Sequence, residues 1–419
     1  MESKNNSIKQ TLLFTLLSGI VLTSLAQNSL TVFGLVDAGY ARIENADNYK
    51  SAVISQGNAW NGPINGGLST SRYGAIGSYS ITNDLRLVGV LEAALYPTNF
   101  TSGNTENQGT DRYNATIPKG AMLFSREETI GLAAERFGSL NIGRTTTMSY
   151  EQTGKFDPIS AGPGLGNFGA IGSLSVYDLS RANNQIKYYT PNLAGFEGGL
   201  AFSAVGGTGD LKNGTTREIY LGYKATDFQM FTTYLGTTTF TYNQFGLTSS
   251  NSNVQKYYGV DSAATNGSPG LQVLQFGGIY KYEKYKFNLG YDTRKDLSNA
   301  AVKGSNSINV AYTGVRYKAN TAHQLALGYY YETNNTVTAG KGNQATIATL
   351  QYIFTPYKNF DIYGIYSRVT NQSGTSITLG DNANIFVPSN TNSGSTPNPG
   401  ENQVGYAVGL RYQFDHVFK

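Results

Sequence analysis

Gly405-Tyr406-Ala407-Val408-Gly409-Leu410-Arg411-Tyr412-Gln413-Phe414 decides the fold. Large side chains hold the even positions, and small or polar residues hold the odd ones. Alternation of period two marks a strand with one apolar face and one wet face. The same pattern recurs upstream. Leu85, Leu87, Leu91 and Leu95 alternate with Arg86, Glu92 and small residues, and Phe287, Leu289 and Tyr291 alternate with Lys286, Asn288, Gly290 and Asp292. Ile219, Leu221 and Tyr223 stand opposite Glu218, Tyr220, Gly222 and Lys224.

Composition agrees. Only 14% of the 419 residues are charged, Gly numbers 50, Tyr 31 and Phe 20, against a single Trp. A chain rich in Tyr, Gly, Asn, Ser and Thr and poor in Glu and Lys disfavours helices and favours strands joined by polar loops. The class is all-β. No Cys is present, which excludes disulfides, thiolate catalysis and Cys-ligated metal sites. The two histidines, His323 and His416, are too sparse for a metal site, and no cofactor motif is found.

Residues 1–26 read as a cleaved signal peptide. Lys4 and Lys9 give a basic start, Thr11–Leu25 is Leu-rich, and Ser24-Leu25-Ala26 supplies the small residues of a cleavage site. A mature chain of 27–419 would carry a net charge of about +3, too little to argue for nucleic acid. The chain is read as exported.

An exported all-β chain could be a sandwich, a solenoid or a membrane barrel, and the connections separate these. Very short turns such as Thr82-Asn83-Asp84, Arg136-Phe137-Gly138, Thr226-Asp227 and Glu283-Lys284-Tyr285 alternate with long polar stretches such as Glu44–Thr70, Pro97–Ala121, Tyr242–Gly270 and Gln372–Asn402. Short turns at one end and long loops at the other describe an outer-membrane barrel, whose apolar face meets lipid while its polar face lines a lumen. Sixteen segments are expected: 30–43, 71–81, 85–96, 122–134, 139–149, 181–190, 196–205, 217–225, 228–240, 271–282, 286–295, 306–319, 323–334, 344–355, 360–371 and 403–414. Fourteen or eighteen strands remain open. Sixteen would leave an aqueous channel unless something folds into it.

Several stretches resemble the trimeric general-diffusion porins of the Gram-negative outer membrane, in their betaproteobacterial form. They are SLTVFGLVDAGY (29–40), SRYGAIGSYSITNDLRLVGVLEAAL (71–95), LFSREETIGLAAERFGSLNIGR (123–144), SRANNQIKYYTPNLAGFEGGLAF (180–202) and YAVGLRYQF (406–414). The resemblance implies a transmembrane antiparallel β-barrel with an inward-folded third long loop. It implies a homotrimer in outer-membrane lipid, and passive diffusion of small hydrophilic solutes and ions.

It also implies a constriction. The third loop, Tyr150–Asp178, would bring Asp157 and Glu151 to face a basic side made of Arg72, Arg126 and Arg181. Alternation supports Arg72, in phase with Gly74 and Ser78, and Arg181, in phase with Gln185 and Lys187. Arg126 shares phase with Glu128 but also with Ile130 and Leu132, which either a bulge or a subunit-facing strand would reconcile. Arg144 shares the phase of Leu140 and Ile142 and suggests a subunit contact. Arg86, Glu92 and Lys187 are expected as lumen charges outside the narrowest zone. More basic than acidic groups at the constriction imply a mild anion preference. The family ends its last strand on a Phe, here Phe414 or Phe418. A hydrolase would need an activated nucleophile, and no Gly-x-Ser-x-Gly on a strand-to-helix turn is present. The rival reading is an adhesin or structural barrel that uses its long loops for recognition.

Overall fold

The computed structural model describes residues 28–46, 59–97, 101–102, 123–159, 164–171, 179–204, 215–240, 268–296, 307–335, 342–379 and 397–418; the expected signal peptide lies outside them. The strands are β1 (Ser29–Glu44), β2 (Ala59–Ile64), β3 (Arg72–Ser80), β4 (Leu85–Tyr96), β5 (Thr101–Ser102), β6 (Glu127–Ala134), β7 (Gly138–Thr146), β8 (Arg181–Tyr189), β9 (Phe196–Ser203) and β10 (Thr216–Lys224). They continue with β11 (Phe228–Phe240), β12 (Ser268–Tyr282), β13 (Tyr285–Asp296), β14 (Ser307–Lys318), β15 (His323–Asn334), β16 (Gln344–Tyr357), β17 (Phe360–Asn371) and β18 (Gln403–Phe418). Two helices, α1 (Met148–Phe156) and α2 (Phe168–Ile171), lie in the third loop.

Neighbours in this series pair antiparallel, and β18 closes the ring on β1 from Leu30↔Phe418 to Ile43↔Gly405. β2 and β3 share one place in the wall: β3 pairs with Ser29–Leu35, and β2 pairs with Gly39–Glu44. β5 adds two residues to the end of β4. The wall therefore has sixteen strands, closed by the β18–β1 pairing. Between β2 and β3, residues 65–71 leave the wall because Asp37 captures them. Its carboxylate accepts from the backbone N–H of Gly67 (3.0 Å), Leu68 (3.0 Å) and Ser69 (2.8 Å).

Side chains sort by face as period two requires. Leu200, Leu221, Leu289, Leu327, Val408 and Leu410 are exposed on the outside, while Glu218, Gln275, Asp292 and Gln351 are buried inside. Outward Tyr79, Phe137, Phe196, Tyr282 and Tyr357 stand near the short turns, where a barrel meets the bilayer interface.

Four boundaries differ from expectation, each for a local reason. The 44–70 stretch contains β2, held by pairing with β1. The strand expected at 122–134 starts at Glu127, because Arg126 turns inward. The strand expected to reach 149 stops at Thr146: Thr147 caps α1, its Oγ accepting from Tyr150 N–H at 3.3 Å. The last strand does not end at Phe414. Asp415–Phe418 continue it, paired with Leu30–Phe33, so Phe418 is the last outward aromatic of the strand.

The third loop fixes the interior. α1 runs along the inner wall from β8 towards β13. Ser149 N–H donates to Glu218 (3.2 Å), Gln275 Nε2 to Thr153 (2.8 Å), and Asn288 Nδ2 to the Phe156 carbonyl (2.7 Å). Further along, Thr349 Oγ1 donates to the Gly166 carbonyl (2.5 Å) and Ser367 Oγ to the Leu165 carbonyl (3.1 Å). Around this loop, Ile64, Leu68, Leu165, Phe168, Ile308, Val310, Tyr330, Ile347 and Tyr363 form one buried apolar cluster. This apolar cluster thus sits inside the barrel, on the β14–β18 side and reaching β1 and β2.

Candidate functional site: a charged inner wall

Arg72 opens β3, Arg126 precedes β6, and Arg181 opens β8. Each therefore stands at the long-loop end of its strand, next to where the third loop enters the barrel. Within β6, Thr129 and Gly131 face inward and Glu128, Ile130 and Leu132 face outward. Arg126 escapes that phase because it lies one residue outside the strand. The inward turn of Arg126 therefore needs no bulge in β6.

The three arginines are brought together around Glu92, the eighth residue of β4. Arg126 Nε donates to Glu92 Oε1 at 2.5 Å, and Arg72 Nε lies 3.9 Å from Glu92 Oε2. Arg181 Nε donates to the Arg126 carbonyl at 2.8 Å, and its guanidinium lies 5.9 Å from the centre of the Tyr150 ring. Arg126 and Arg181 are buried. This corrects the place expected for Glu92, which belongs to the arginine cluster rather than to a zone beyond it. The register explains why: Gly74, Glu92 and Glu127 are directly opposed across β3, β4 and β6, two positions from Arg72 and one from Arg126.

Glu151 and Lys187 form a second group on the neighbouring wall. Lys187 Nζ lies 2.6 Å from Glu151 Oε1, Thr146 Oγ1 donates to the same oxygen at 2.5 Å, and the Tyr189 hydroxyl donates to Oε2. Glu151 thus anchors the first turn of α1 to β7 and β8. Its negative charge there also suits the helix N-terminus.

Asp157 stands on the far side of the ring. Oδ1 accepts from Ile159 N–H (2.8 Å) and the Tyr330 hydroxyl of β15 (2.7 Å), and Oδ2 accepts from Phe168 N–H (3.0 Å). Both oxygens are engaged in folding the loop and docking it. Burial pushes this carboxyl above its ordinary range, against these donors and the field of Arg316. Arg86 is half-buried on the inner face of β4, near the short turns. Arg144 is tied into its own wall. Its Nε donates to the Ser125 carbonyl (2.6 Å) and its Nη1 to Asn183 Oδ1 (2.7 Å). A bulge at Gly143 breaks the phase of Leu140 and Ile142. Gly143 has φ 140°, and a Cβ there would meet the Glu128 carbonyl at 2.1 Å. The sequence reading also missed Arg411, which pairs with Asp361 at 2.7 Å and donates to Ser69 at 2.8 Å; its inward phase on β18 was the available signal.

A closed sixteen-strand barrel, apolar outside and charged within, defines a channel of the outer-membrane class. The family profile of Gram-negative porins matches residues 15–375, and the chain belongs to that family. Its place is the outer membrane of Gram-negative cells. Outer membrane porin protein 32 of Delftia acidovorans is 26% identical over 93% of this chain and 95% of the relative. An outer membrane porin of Bordetella pertussis is 31% identical over 47% of this chain and 48% of its own length. In fold, the anion-selective porin from Comamonas acidovorans superposes with a TM-score of 0.69 at 20% identity, over 93% of this chain and all of that one.

Proposed function

We propose that the lumen passes small hydrophilic solutes and ions passively, with a mild preference for anions set by Arg72, Arg126 and Arg181. The observation that carries this reading is three guanidinium groups gathered at the carboxylate of Glu92 among the described residues. A net positive cluster beside low-dielectric wall raises the local anion concentration more than it would in bulk water. Glu151 is neutralised by Lys187, and Asp157 is engaged by the third loop, so neither offsets the arginines directly. The Comamonas porin of the same fold is described as anion-selective, which agrees in sense. The relatives are channels, and no step of chemistry is assigned to this chain.

The test is the reversal potential under a KCl gradient. Replacing the three arginines together by Gln lowers anion preference, most strongly in dilute salt, where screening is weak. Arg86→Gln, outside the cluster, shifts it less. An unchanged reversal potential in the triple variant removes these residues from the filter and leaves the barrel intact.

The native assembly we propose is a homotrimer. Glu128 is exposed on the outer face, where a carboxylate against lipid is costly and a protein contact can pair it. A trimer form is described for OmpT, an outer membrane protein of Vibrio cholerae that shares the fold. Native mass measurement in mild detergent showing monomers alone counts against it.

A further inference from the structure

A second basic group lies away from the arginines, below the third loop at the short-turn mouth. Lys281, Lys286 and Arg316 belong to β12, β13 and β14 and are directly opposed in register: Lys281↔Lys286 and Lys286↔Arg316. All three share the inward phase of Ile279, Asn288 and Tyr312, which are buried. Like charges directly opposite one another across a sheet are destabilising, and this row carries three. Among the described residues, neither Lys281 nor Lys286 has a carboxylate within ion-pairing distance. Arg316 spends one donor on the loop, its Nη2 reaching the Pro158 carbonyl at 3.0 Å.

The row lines a cavity of about 550 Å³ to which Lys284 and Lys318 add two more cations and Glu283 the one carboxylate. The cavity meets the third loop at Arg316 and opens towards the short turns. Neighbouring strands lie about 4.8 Å apart, so the three charges of the row span roughly 10 Å. A monovalent ion neutralises one of them. An anion with several negative centres spaced along a chain can meet all three at once, with Lys ammonium groups acting as point-charge partners of phosphate oxygens.

We infer that this cavity is a binding site for extended polyvalent oxyanions, separate from the arginine cluster. The inference rests on the lumen being a solute path only for the route by which the ligand arrives.

Calorimetric titration of the folded, full-length barrel in detergent and dilute salt, with inorganic tripolyphosphate as the probe, tests it. The parent binds saturably, and orthophosphate binds about tenfold more weakly or worse. Lys281→Gln with Lys286→Gln weakens tripolyphosphate binding by at least about tenfold. The Arg72, Arg126 and Arg181 triple Gln variant retains it within about twofold, as does Lys358→Gln in the turn after β16. Heat-modifiable gel mobility checks that each variant is folded, and Lys286→Gln alone serves if the double variant is not. Absence of saturable binding overturns the inference, as does parent-like binding by the lysine variant or loss of binding in the arginine triple. Reversal potentials in chloride alone test the selectivity reading, so the two can fail separately.

Discussion

The inner faces of two wall regions, β3–β8 and β14–β17, come from the same alternating strands and end in opposite states. The first presents Arg72, Glu92, Arg126, Arg181 and Lys187, bonded to one another and to the start of α1. The second presents Ile308, Val310, Tyr330, Ile347, Ile365 and Val369 to the third loop, and all are buried. The inner faces of β14 and β16 are therefore apolar along part of their length, at Ile308, Val310 and Tyr312 and at Ala345 and Ile347. A barrel interior is wet by default, and it becomes core only where the chain itself supplies a second surface. The third loop does so on the β14–β17 side.

The strongest attempt to break this contrast is to undo the packed side. Phe168 is fully buried and meets Tyr312 edge-on at 5.4 Å. Truncating a buried Phe costs about 3–5 kcal/mol, and a loop held by a few hydrogen bonds has little to set against that. Phe168→Ala is expected to release the loop, raise single-channel conductance in concentrated KCl and lower the melting temperature of the folded barrel. Parent-like conductance would mean that the loop is held by its polar contacts and that the apolar cluster is incidental.

A smaller effect sharpens the charged side. Glu92→Gln removes the carboxylate between Arg72 and Arg126 while keeping a side chain of the same size. Anion preference should rise, opposite in sign to the effect of removing the arginines. The lost charge-assisted hydrogen bond from Arg126 and the lost ion pair with Arg72 should together cost about 1–3 kcal/mol of stability. Reversal potentials read the first effect and denaturant melts the second. A fall in anion preference would show that Glu92 holds the arginines in place more than it offsets their charge.

Much of this architecture is legible in the sequence. Sixteen wall segments follow from alternation and turn spacing, since each strand has a lipid-facing side that must be apolar. Arg72 and Arg181 follow from phase and family resemblance together. The rest depends on relations between strands. Glu92 joins the arginines because of the β3–β4–β6 register, and the Lys281–Lys286–Arg316 row exists only once β12–β14 are aligned. α1 has no long periodic pattern and contains Gly154; it is held by Glu218, Gln275 and Asn288, distant in sequence. Asp415–Phe418 lack clean alternation and are strand because Leu30–Phe33 lie opposite them. The inward Ile308, Val310 and Ile347 look like breaks in the pattern until the loop they cover is placed.

The finest distinction between the two regions is a response to pH. Asp157 pins the loop to β15, and burial raises its carboxyl above the ordinary value near 3.8, although Tyr330, the Ile159 and Phe168 N–H groups and Arg316 all favour the charged form. A carboxyl raised on folding contributes stability that is fully present below its unfolded value and is lost as pH rises through its folded value. Acidification from neutral pH should therefore tighten the docked loop through this group. Tyr330→Phe removes one donor to the carboxylate, at a cost of about 1 kcal/mol, and that donor matters most while Asp157 is ionised. The melting difference between Tyr330→Phe and the parent should be largest near neutral pH and shrink in acid. Melts of both proteins over a pH series measure it. A difference constant with pH would show that the hydroxyl serves packing alone, and that Asp157 keeps one protonation state across the range.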